Sequence, residues 1–375
     1  MKLENCVDVL SGFAFKSKLF NTEDRGLPLI RIRDVTTNSI STFYEGDYKD
    51  VYLIDNGDLL IGMDGQFNLI EWQGGKALLN QRVCKLIPDN GKIDKSFIKY
   101  LVPKSLKEIE DRTSFVTVKH LSVKKIKDIE LPTLPLETQK RIAQILDDAA
   151  ALRDKTKELL KEYDLLAQSI FLDMFGDPVN NPKGWEKVKM EKLMKIQRGG
   201  SPRPIKNYLG GEYPWIKIGD ATKGDDIYLY DTKEKIIESG LSKTRLLPKG
   251  SLIFANCGVS LGFARIIEFE GCIHDGWLAF SEIDVNVLNK IFVLKALNNI
   301  TQYFRDIAPD GTQPNLNTTI MKQFDLILPP ISLQNIFNQK LILITKQKEL
   351  AKQELQESED LFNCLLQKAF NGELV

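Results

Sequence analysis

The sequence predicts an α+β protein with two repeated domains and two long helices that pair antiparallel as a coiled coil. Three observations predict this architecture. Short segments of the first half recur in the second half in the same order, both halves close on a proline-rich segment, and a long stretch without proline or glycine follows each closing segment. Collinear repetition over about half of a chain indicates a duplicated unit.

Three matched pairs of segments carry the repeat. Both members of the first pair have a proline followed by alternating apolar and polar residues, a pattern typical of a strand. Both members of the third pair end on Asp, apolar residues and Leu-Pro. The pairs are residues 27–34 with 213–220, 57–61 with 250–254, and 125–132 with 322–329.

Further alternating runs predict that each domain consists mostly of strands with a few helices. The predicted strands cover residues 29–35, 58–63, 81–87, 214–218, 251–255 and 264–269. We place the domains at 1–133 and 187–330, the first helical segment at 134–176, a linker rich in turn residues at 177–186, and the second helical segment at 331–375.

A coiled-coil seam is predicted on both long helices, which we expect at 139–175 and from about 334 to 370. Apolar or small residues recur there at alternating steps of three and four, and on the first helix this stripe includes Ala149 and Thr156. Gly176 and Pro178 are expected to end the first helix, and Lys348 interrupts the second stripe. The predicted pairing residues are Ile142, Ile145, Leu152, Leu159, Leu166 and Ile170 on the first helix, and Leu341, Ile344, Leu355, Phe362 and Leu365 on the second.

Three arrangements would bury these stripes. The helices could pair with each other, each could pack on its own domain as ordinary core, or two copies of the chain could form a homodimeric coiled coil. Pairing within the chain is favoured because such a long stripe exceeds what a small domain needs to cover. Antiparallel pairing would place the two domains at opposite ends.

Composition excludes several classes of protein. The chain has 51 basic and 51 acidic residues, so any contact with nucleic acid must come from local patches. Five scattered cysteines and two histidines have no zinc-ligand spacing, and reduced thiols lead us to expect a cytoplasmic protein. No apolar run long enough to span a membrane, no nucleotide-binding loop and no amino-methyltransferase motif is present, so we expect no catalytic residues, no metal and no cofactor in this chain.

Basic and amide side chains in loops are candidates for DNA binding, since basic groups contact phosphates and forked or amide groups contact base edges. Each loop alone is more typical of ordinary solvated surface, but similar loops recur in both domains, among them the amide-rich segment 310–317. The candidates are Lys16, Arg31, Arg33, Gln66, Asn68, Gln81, Arg82, Lys119 and Lys124 in the first domain, and Arg198, Ser201, Arg203, Lys217, Arg245, Asn256, Asn315 and Asn317 in the second.

Five segments, at residues 11–17, 134–142, 171–178, 184–185 and 369–374, resemble the specificity subunits of type I restriction-modification systems. The resemblance extends over the whole chain and is strongest at the helices. The second half departs from the family pattern at Ser332, which stands where the first half has Pro135. An adaptor protein with a coiled coil and protein-binding globular ends is the alternative.

The resemblance implies that the domains at 1–133 and 187–330 are target recognition domains. Each would read one part of an asymmetric, bipartite site in double-stranded DNA, and the helices would set the gap. Two modification subunits, and two restriction subunits where a nuclease exists, would dock on the chain. S-adenosylmethionine, ATP and magnesium would belong to those adenine-methylating and DNA-cleaving partners, and no membrane would be involved.

Overall fold

Residues 1–37, 39–113, 119–222, 226–308 and 315–374 are described by a computed structural model. They form two units, each of which joins one globular domain to parts of both long helices. The first unit is Met1–Glu158 with Lys352–Val375, and the second is Leu159–Ala351. The predicted α+β class, with a repeated domain and two long helices, is confirmed.

The domain of the first unit contains two sheets. One is antiparallel with the strand order β1-β9-β6-β7, and the other has the order β2-β4-β3-β8-β5 with a parallel β3–β8 pair. The strands are β1 (Val7–Ser11), β2 (Phe20–Asn21), β3 (Leu27–Ile30), β4 (Phe43–Tyr44), β5 (Leu53–Ile54), β6 (Leu59–Gly62), β7 (Leu69–Glu71), β8 (Ala77–Leu79) and β9 (Val83–Pro88). The helices are α1 (Ile32–Thr37), α2 (Lys95–Arg112) and α3 (Val123–Lys127), and the long α4 (Leu136–Phe175) begins in this unit.

The domain of the second unit repeats the arrangement with added strands. Its sheets have the orders β11-β19-β16-β17-β13, β14-β12-β18-β15 and β10-β20, and β12–β18 is again a parallel pair. The strands are β10 (Lys187–Lys189), β11 (Lys195–Arg198), β12 (Leu209–Ile216), β13 (Tyr228–Leu229), β14 (Glu234–Ile236), β15 (Arg245–Leu247), β16 (Leu252–Ala255), β17 (Ala264–Ile267), β18 (Gly271–Ile273), β19 (Trp277–Ser281) and β20 (Asp325–Ile327). The helices are α5 (Met190–Leu193), α6 (Lys290–Asn299), α7 (Thr301–Ile307), α8 (Thr318–Gln323) and the long α9 (Ile331–Asn371).

The predicted strand at 29–35 is wrong beyond Ile30, where the chain turns into α1. The Asp34 carboxylate accepts a hydrogen bond from the Arg31 backbone N–H at 2.8 Å, which favours a turn over an extended strand. In the second unit Asp220 accepts from the Lys217 backbone N–H at 2.9 Å, and β12 likewise ends before this turn. The other predicted strands each overlap an observed strand.

Both long helices begin three residues earlier than predicted, directly after Pro135 and Pro330. Proline lacks a backbone N–H and is therefore well placed immediately before a helix. Gly176, with φ of 76°, ends α4 as predicted. Among the described residues no helix combines the length and the apolar character that a membrane span requires.

Within each unit the two helices run antiparallel. In the first unit Lys157 forms an ion pair with Glu359 at 2.9 Å, while Ile142 shares a core with Ala369. In the second unit Lys348, which was predicted to interrupt the stripe, forms an ion pair with Asp164. Pairing between the helices within the chain is therefore confirmed.

The helices also pack on their own domains. The Phe171 ring lies 5.4 Å from Phe337 of α9 and 5.8 Å from Phe292 of α6. In the first unit Tyr100 of α2 donates to Asp147 of α4 at 2.6 Å and lies 5.9 Å from the ring of Phe362. The arrangement thus combines two of the alternatives that the stripes left open.

The predicted seam is wrong at Leu152 and Leu166, which are each 45% exposed. Ala149 and Thr156 of the predicted stripe are buried, and Ala167, which the prediction did not include, is buried as well. Ile142, Ala149 and Thr156 are seven residues apart and all buried, whereas Leu152 and Leu166 belong to the other position of the repeat, which is more exposed. Of the other pairing residues, Ile142, Leu341 and Ile344 are buried, and Ile145, Leu159, Ile170, Leu355, Phe362 and Leu365 are half-buried.

Candidate nucleic-acid interface

Three antiparallel strands end together at one edge of each domain, at β1, β9 and β6 in the first unit and at β11, β19 and β16 in the second. A glycine follows the first strand in each case. Gly12 N–H donates to the Val83 carbonyl at 2.9 Å, and Gly199 N–H donates to the Trp277 carbonyl at 2.9 Å. Gly12 and Gly199 therefore occupy the same place in the two copies.

These glycines allow two backbone segments to approach closely. A Cβ on Gly12 would lie 2.1 Å from the Asn80 carbonyl oxygen, and one on Gly199 would lie 2.3 Å from that of His274. Such distances are shorter than van der Waals contact, so only glycine fits. Gly12 thus brings the loop after β1 against the backbone of Asn80, and Gly199 brings the loop after β11 against the backbone of His274. We call the ends of these three strands, together with the loops that adjoin them, the sheet edge of each unit.

At the sheet edge of the first unit, Asp64, Arg82 and His120 form one cluster. His120 Nδ1 lies 2.6 Å from Asp64 Oδ1, and Arg82 Nε lies 3.5 Å from Asp64 Oδ2. Arg82 Nη1 lies 3.3 Å from the same His120 nitrogen. Arg82 has φ of 71°, a strained backbone conformation for a residue with a side chain and one that is frequent at functional sites.

Three other candidates of the first unit adjoin this cluster. Gln66 and Gln81 are exposed and neighbour it along the chain. The Lys119 carbonyl accepts from the Gly65 N–H at 2.9 Å, while its ammonium donates to the Glu110 carbonyl at 2.7 Å. Gln66, Gln81, Arg82 and Lys119 are therefore brought together.

The remaining candidates of the first unit make separate contacts or none that ties them to the cluster. Arg31 lies over the Phe20 ring at 6.0 Å, and Arg33 donates to Thr42 Oγ1 at 2.8 Å. Asn68 is half-buried, and Lys16 and Lys124 are exposed in the loop after β1 and on α3.

At the sheet edge of the second unit, Asp275 lies among basic side chains. Ser201 Oγ donates to Asp275 Oδ1 at 2.7 Å, and Arg203 Nη2 lies 3.5 Å from Asp275 Oδ2. Arg198 Nε donates to the Asp275 carbonyl at 2.7 Å, and Arg245 Nε donates to the Arg198 carbonyl at 3.0 Å. Arg198, Ser201, Arg203 and Arg245 are therefore brought together as one basic cluster.

The other candidates of the second unit have contacts within the domain. Lys217 forms an ion pair with Glu234. Asn256 is fully buried and donates to Asn315 Oδ1 at 3.1 Å, and Asn317 accepts from the Ile320 N–H at the start of α8. Asn317 therefore caps a helix, as Ser122 does for α3 in the first unit. Residues 310–314 of the predicted amide-rich loop lie outside the described residues.

Electrostatics set the charges of His274 and Asp275. Burial lowers the pKa of His274. The negative charge of Asp275 raises this pKa, but the positive charges of Arg203, Lys217 and Arg198 lower it again, so it lies below its ordinary value. Burial raises the pKa of Asp275, but the hydrogen bond from Ser201 and the nearby basic groups outweigh it, so this pKa lies below its ordinary value. A neutral imidazole therefore stands beside an ionised carboxylate near neutral pH.

Hydrogen bonding also fixes the His274 tautomer. Its Nδ1 accepts from the Gly276 N–H at 2.9 Å, so the proton is on Nε2, which lies 3.0 Å from Asp275 Oδ1. The Ser201 hydroxyl donates to Asp275 rather than to His274. The three side chains therefore lack the serine-to-histidine hydrogen bond of a hydrolase relay. The exposed arginines beside them, Arg198 and Arg203, suit phosphates and base edges instead.

Asp64 and Asp275 are the site residues that sequence reasoning missed. A search for DNA-binding side chains selects basic and amide groups, and carboxylates repel phosphate. The available signal was local, because Asp275 directly follows His274 and is flanked by Gly271 and Gly276.

Comparisons with known proteins agree with a repeated domain. The family model described as the type I restriction modification DNA specificity domain matches residues 1–162 and 182–359. The type I restriction enzyme EcoBI specificity subunit of Escherichia coli is 44% identical over 162 residues, which are 43% of this chain and 34% of that protein. The chain thus matches about a third of the length of that relative.

Two solved structures share the fold. The S subunit of the type I restriction-modification system of M. genitalium has a TM-score of 0.53 at 16% identity, with 99% of this chain and 95% of that chain covered. A chain of a type I R-M system, solved to describe complex assembly and conformational transition, has a TM-score of 0.65 at 16% identity, with 100% and 97% covered. At this level of identity the likeness extends to the fold alone.

Proposed function

Because the chain belongs to the type I restriction modification DNA specificity family, we propose that it reads an asymmetric, bipartite site in double-stranded DNA, one half-site per unit. One observation carries the proposal. Both units bear exposed arginines at the same sheet edge, but the side chains beside them differ. Arg82 with Gln66 and Gln81 stands in one, and Arg198 with Arg203 in the other. Different donors select different bases, so the half-sites should differ.

The exposure of these side chains supports direct contact with DNA. The Arg203 side chain is 79% exposed and the Arg82 side chain is 55% exposed, so both can reach a ligand without rearrangement of the domain. An arginine can donate two hydrogen bonds to guanine or one or two to a phosphate. Lys16 and Arg203 follow Gly12 and Gly199 at the same distance along the chain, which suits a phosphate contact in each unit.

We further propose that α4 and α9 set the gap between the half-sites and dock two modification subunits, with two restriction subunits where a nuclease exists. At about 1.5 Å per residue each helix is about 60 Å long. Leu165 and Leu343 are each 65% exposed on these helices. Exposed apolar surface is often where a protein partner binds. The partners would supply S-adenosylmethionine, ATP and magnesium, flip the adenine and methylate it. This chain would then contribute recognition only.

Methylome sequencing of cells with and without the gene tests the proposal. The expected result is one adenine-methylated motif, interrupted by a fixed gap, that disappears with the gene. Persistence of every methylated motif would oppose DNA recognition and favour the adaptor alternative.

Point variants then assign the half-sites. Arg82→Ala should relax sequence preference in one half of the motif and Arg203→Ala in the other, because each arginine belongs to a different unit. Lys192→Ala removes an exposed charge on α5 and should leave the motif unchanged. If Arg82→Ala and Arg203→Ala relaxed the same half, the assignment of one half-site to each unit would be wrong.

A further inference from the structure

Each proposed DNA-reading cluster contains one carboxylate in direct contact with its basic groups. In the first unit this is Asp64, and in the second it is Asp275. The two do not occupy corresponding positions, because Asp64 follows β6 whereas Asp275 lies between β18 and β19. The same arrangement of charges is thus built twice from different positions in the repeat.

Asp64 holds two partners in fixed positions. Its side chain is 25% exposed, while those of Arg82 and His120 are 55% and 48% exposed. One carboxylate oxygen faces His120 at 2.6 Å and the other faces Arg82 at 3.5 Å. Because the carboxylate uses both oxygens, it restricts the rotamers of the two more exposed side chains around it.

Asp275 holds its partners in a similar way. Its side chain is 30% exposed, and it accepts from Ser201 and lies beside His274 and Arg203. The Arg203 side chain would otherwise be free in solvent, since it is 79% exposed. The negative charge of Asp275 weakens the attraction between this cluster and any phosphate. It therefore opposes DNA binding unless it improves the discrimination between DNA sequences.

We propose that Asp64 and Asp275 are specificity-determining positioning residues, which orient the neighbouring basic side chains and suppress binding to DNA of unrelated sequence. This inference rests on the proposed function. Without the carboxylate, a freed arginine would contact whichever phosphate is nearest, and binding to every sequence would strengthen. With it, the arginine leaves the carboxylate only where the correct base or phosphate compensates.

Asp64→Asn and Asp275→Asn test the inference, since each removes one charge and keeps the shape. The full chain, assembled with its modification subunits, is titrated with a duplex that carries the methylated motif and with a scrambled duplex of equal length, over a series of salt concentrations. We expect affinity for the scrambled duplex to rise several-fold and the ratio between the two duplexes to fall about tenfold, or about 1.4 kcal/mol. For the scrambled duplex, the plot of log affinity against log salt concentration should become steeper by up to about the contribution of one phosphate contact.

Matched controls separate positioning from net charge. Asp47→Asn and Glu212→Gln each remove one exposed negative charge outside both clusters. Both should leave the affinity ratio within about twofold of the wild type. A fall in the ratio as large as that of Asp64→Asn or Asp275→Asn would overturn the inference, because net charge alone would then explain the effect.

Conservative variants and a stability measurement complete the test. Asp64→Glu and Asp275→Glu keep the charge and should recover part of the lost discrimination. Thermal unfolding midpoints close to that of the wild type would show that the Asn variants are folded; a damaged domain would lower affinity for both duplexes, which contradicts the expected rise. If the wild-type assembly itself did not prefer the motif, the proposed function would fail rather than this inference.

Discussion

Gln139 and Gln334 make the same three hydrogen bonds, each at the start of a long helix. Gln139 Oε1 accepts from the Asp94 N–H at 3.0 Å, and its Nε2 donates to the carbonyls of Lys92 and Leu134. Gln334 Oε1 accepts from the Asn289 N–H at 2.9 Å, and its Nε2 donates to the carbonyls of Val287 and Pro329. Both side chains are fully buried.

This equivalence corrects the alignment of the repeats. With Gln139 opposite Gln334, Pro135 stands opposite Pro330, and each proline directly precedes its helix. The departure that the sequence indicated at Ser332 is therefore wrong. Each glutamine ties the start of its long helix to the segment before the domain's own helix, α2 or α6.

Gln139→Ala and Gln334→Ala should each destabilise the chain by about 1–3 kcal/mol. Each change leaves a buried backbone N–H and two buried carbonyls without their hydrogen-bond partner. Their desolvation is then no longer compensated, and this destabilises the folded chain. Denaturant unfolding monitored by circular dichroism measures the change. Gln144→Ala, an exposed glutamine on α4, should change the free energy of unfolding by less than about 0.5 kcal/mol. Equal effects at Gln139 and Gln144 would contradict the role assigned to the buried network.

Gly12→Ala and Gly199→Ala should each destabilise the sheet edge by about 1–3 kcal/mol, because the added Cβ meets backbone that cannot move aside as a side chain would. Thermal unfolding measures this, and DNA binding by the assembled complex should weaken in parallel. Gly219→Ala is the control, since a Cβ there meets nothing within 4 Å. A variant at Gly12 or Gly199 as stable as that control would show that the close approach is not required.

Leu146→Ala should cost about 2–5 kcal/mol, whereas Leu152→Ala on the same helix should cost less than about 1 kcal/mol. Leu146 is fully buried and its removal leaves a cavity, while Leu152 is 45% exposed. The unfolding free energies of the two variants test whether Leu152 lies in the buried interface, as the predicted seam requires. A larger loss at Leu152 would favour the heptad seam.

The stability of the second unit should fall as pH drops below about 6.5. The pKa of His274 is lowered in the folded chain, so the unfolded chain takes up the proton first and is favoured as pH falls below the ordinary value of 6.5. Asp275, whose pKa is also lowered, acts only below its ordinary value of 3.8. Unfolding free energies at pH 7.5 and 5.5 should therefore differ less in His274→Asn than in the wild type. An unchanged difference would show that His274 does not contribute.

Part of the candidate site could be predicted from the sequence. Arg82, Arg198 and Arg203 were selected because basic groups in loops suit DNA, and the structure brings each to a sheet edge. Asn256 and Asn317 were selected by the same rule, but one is buried and the other caps a helix. Residue type alone does not distinguish an amide that serves the fold from one that faces solvent.

The duplication, the α+β class, the two long helices and the glycine that ends the first of them could be predicted from the sequence, because these depend on local periodicity and on backbone geometry. Only the folded chain shows that Leu152 and Leu166 of the predicted stripe are exposed, since burial depends on the partner surface. It also shows that Asp64 meets Arg82 and His120. Those side chains are distant along the chain, and only the pairing of strands brings them into contact.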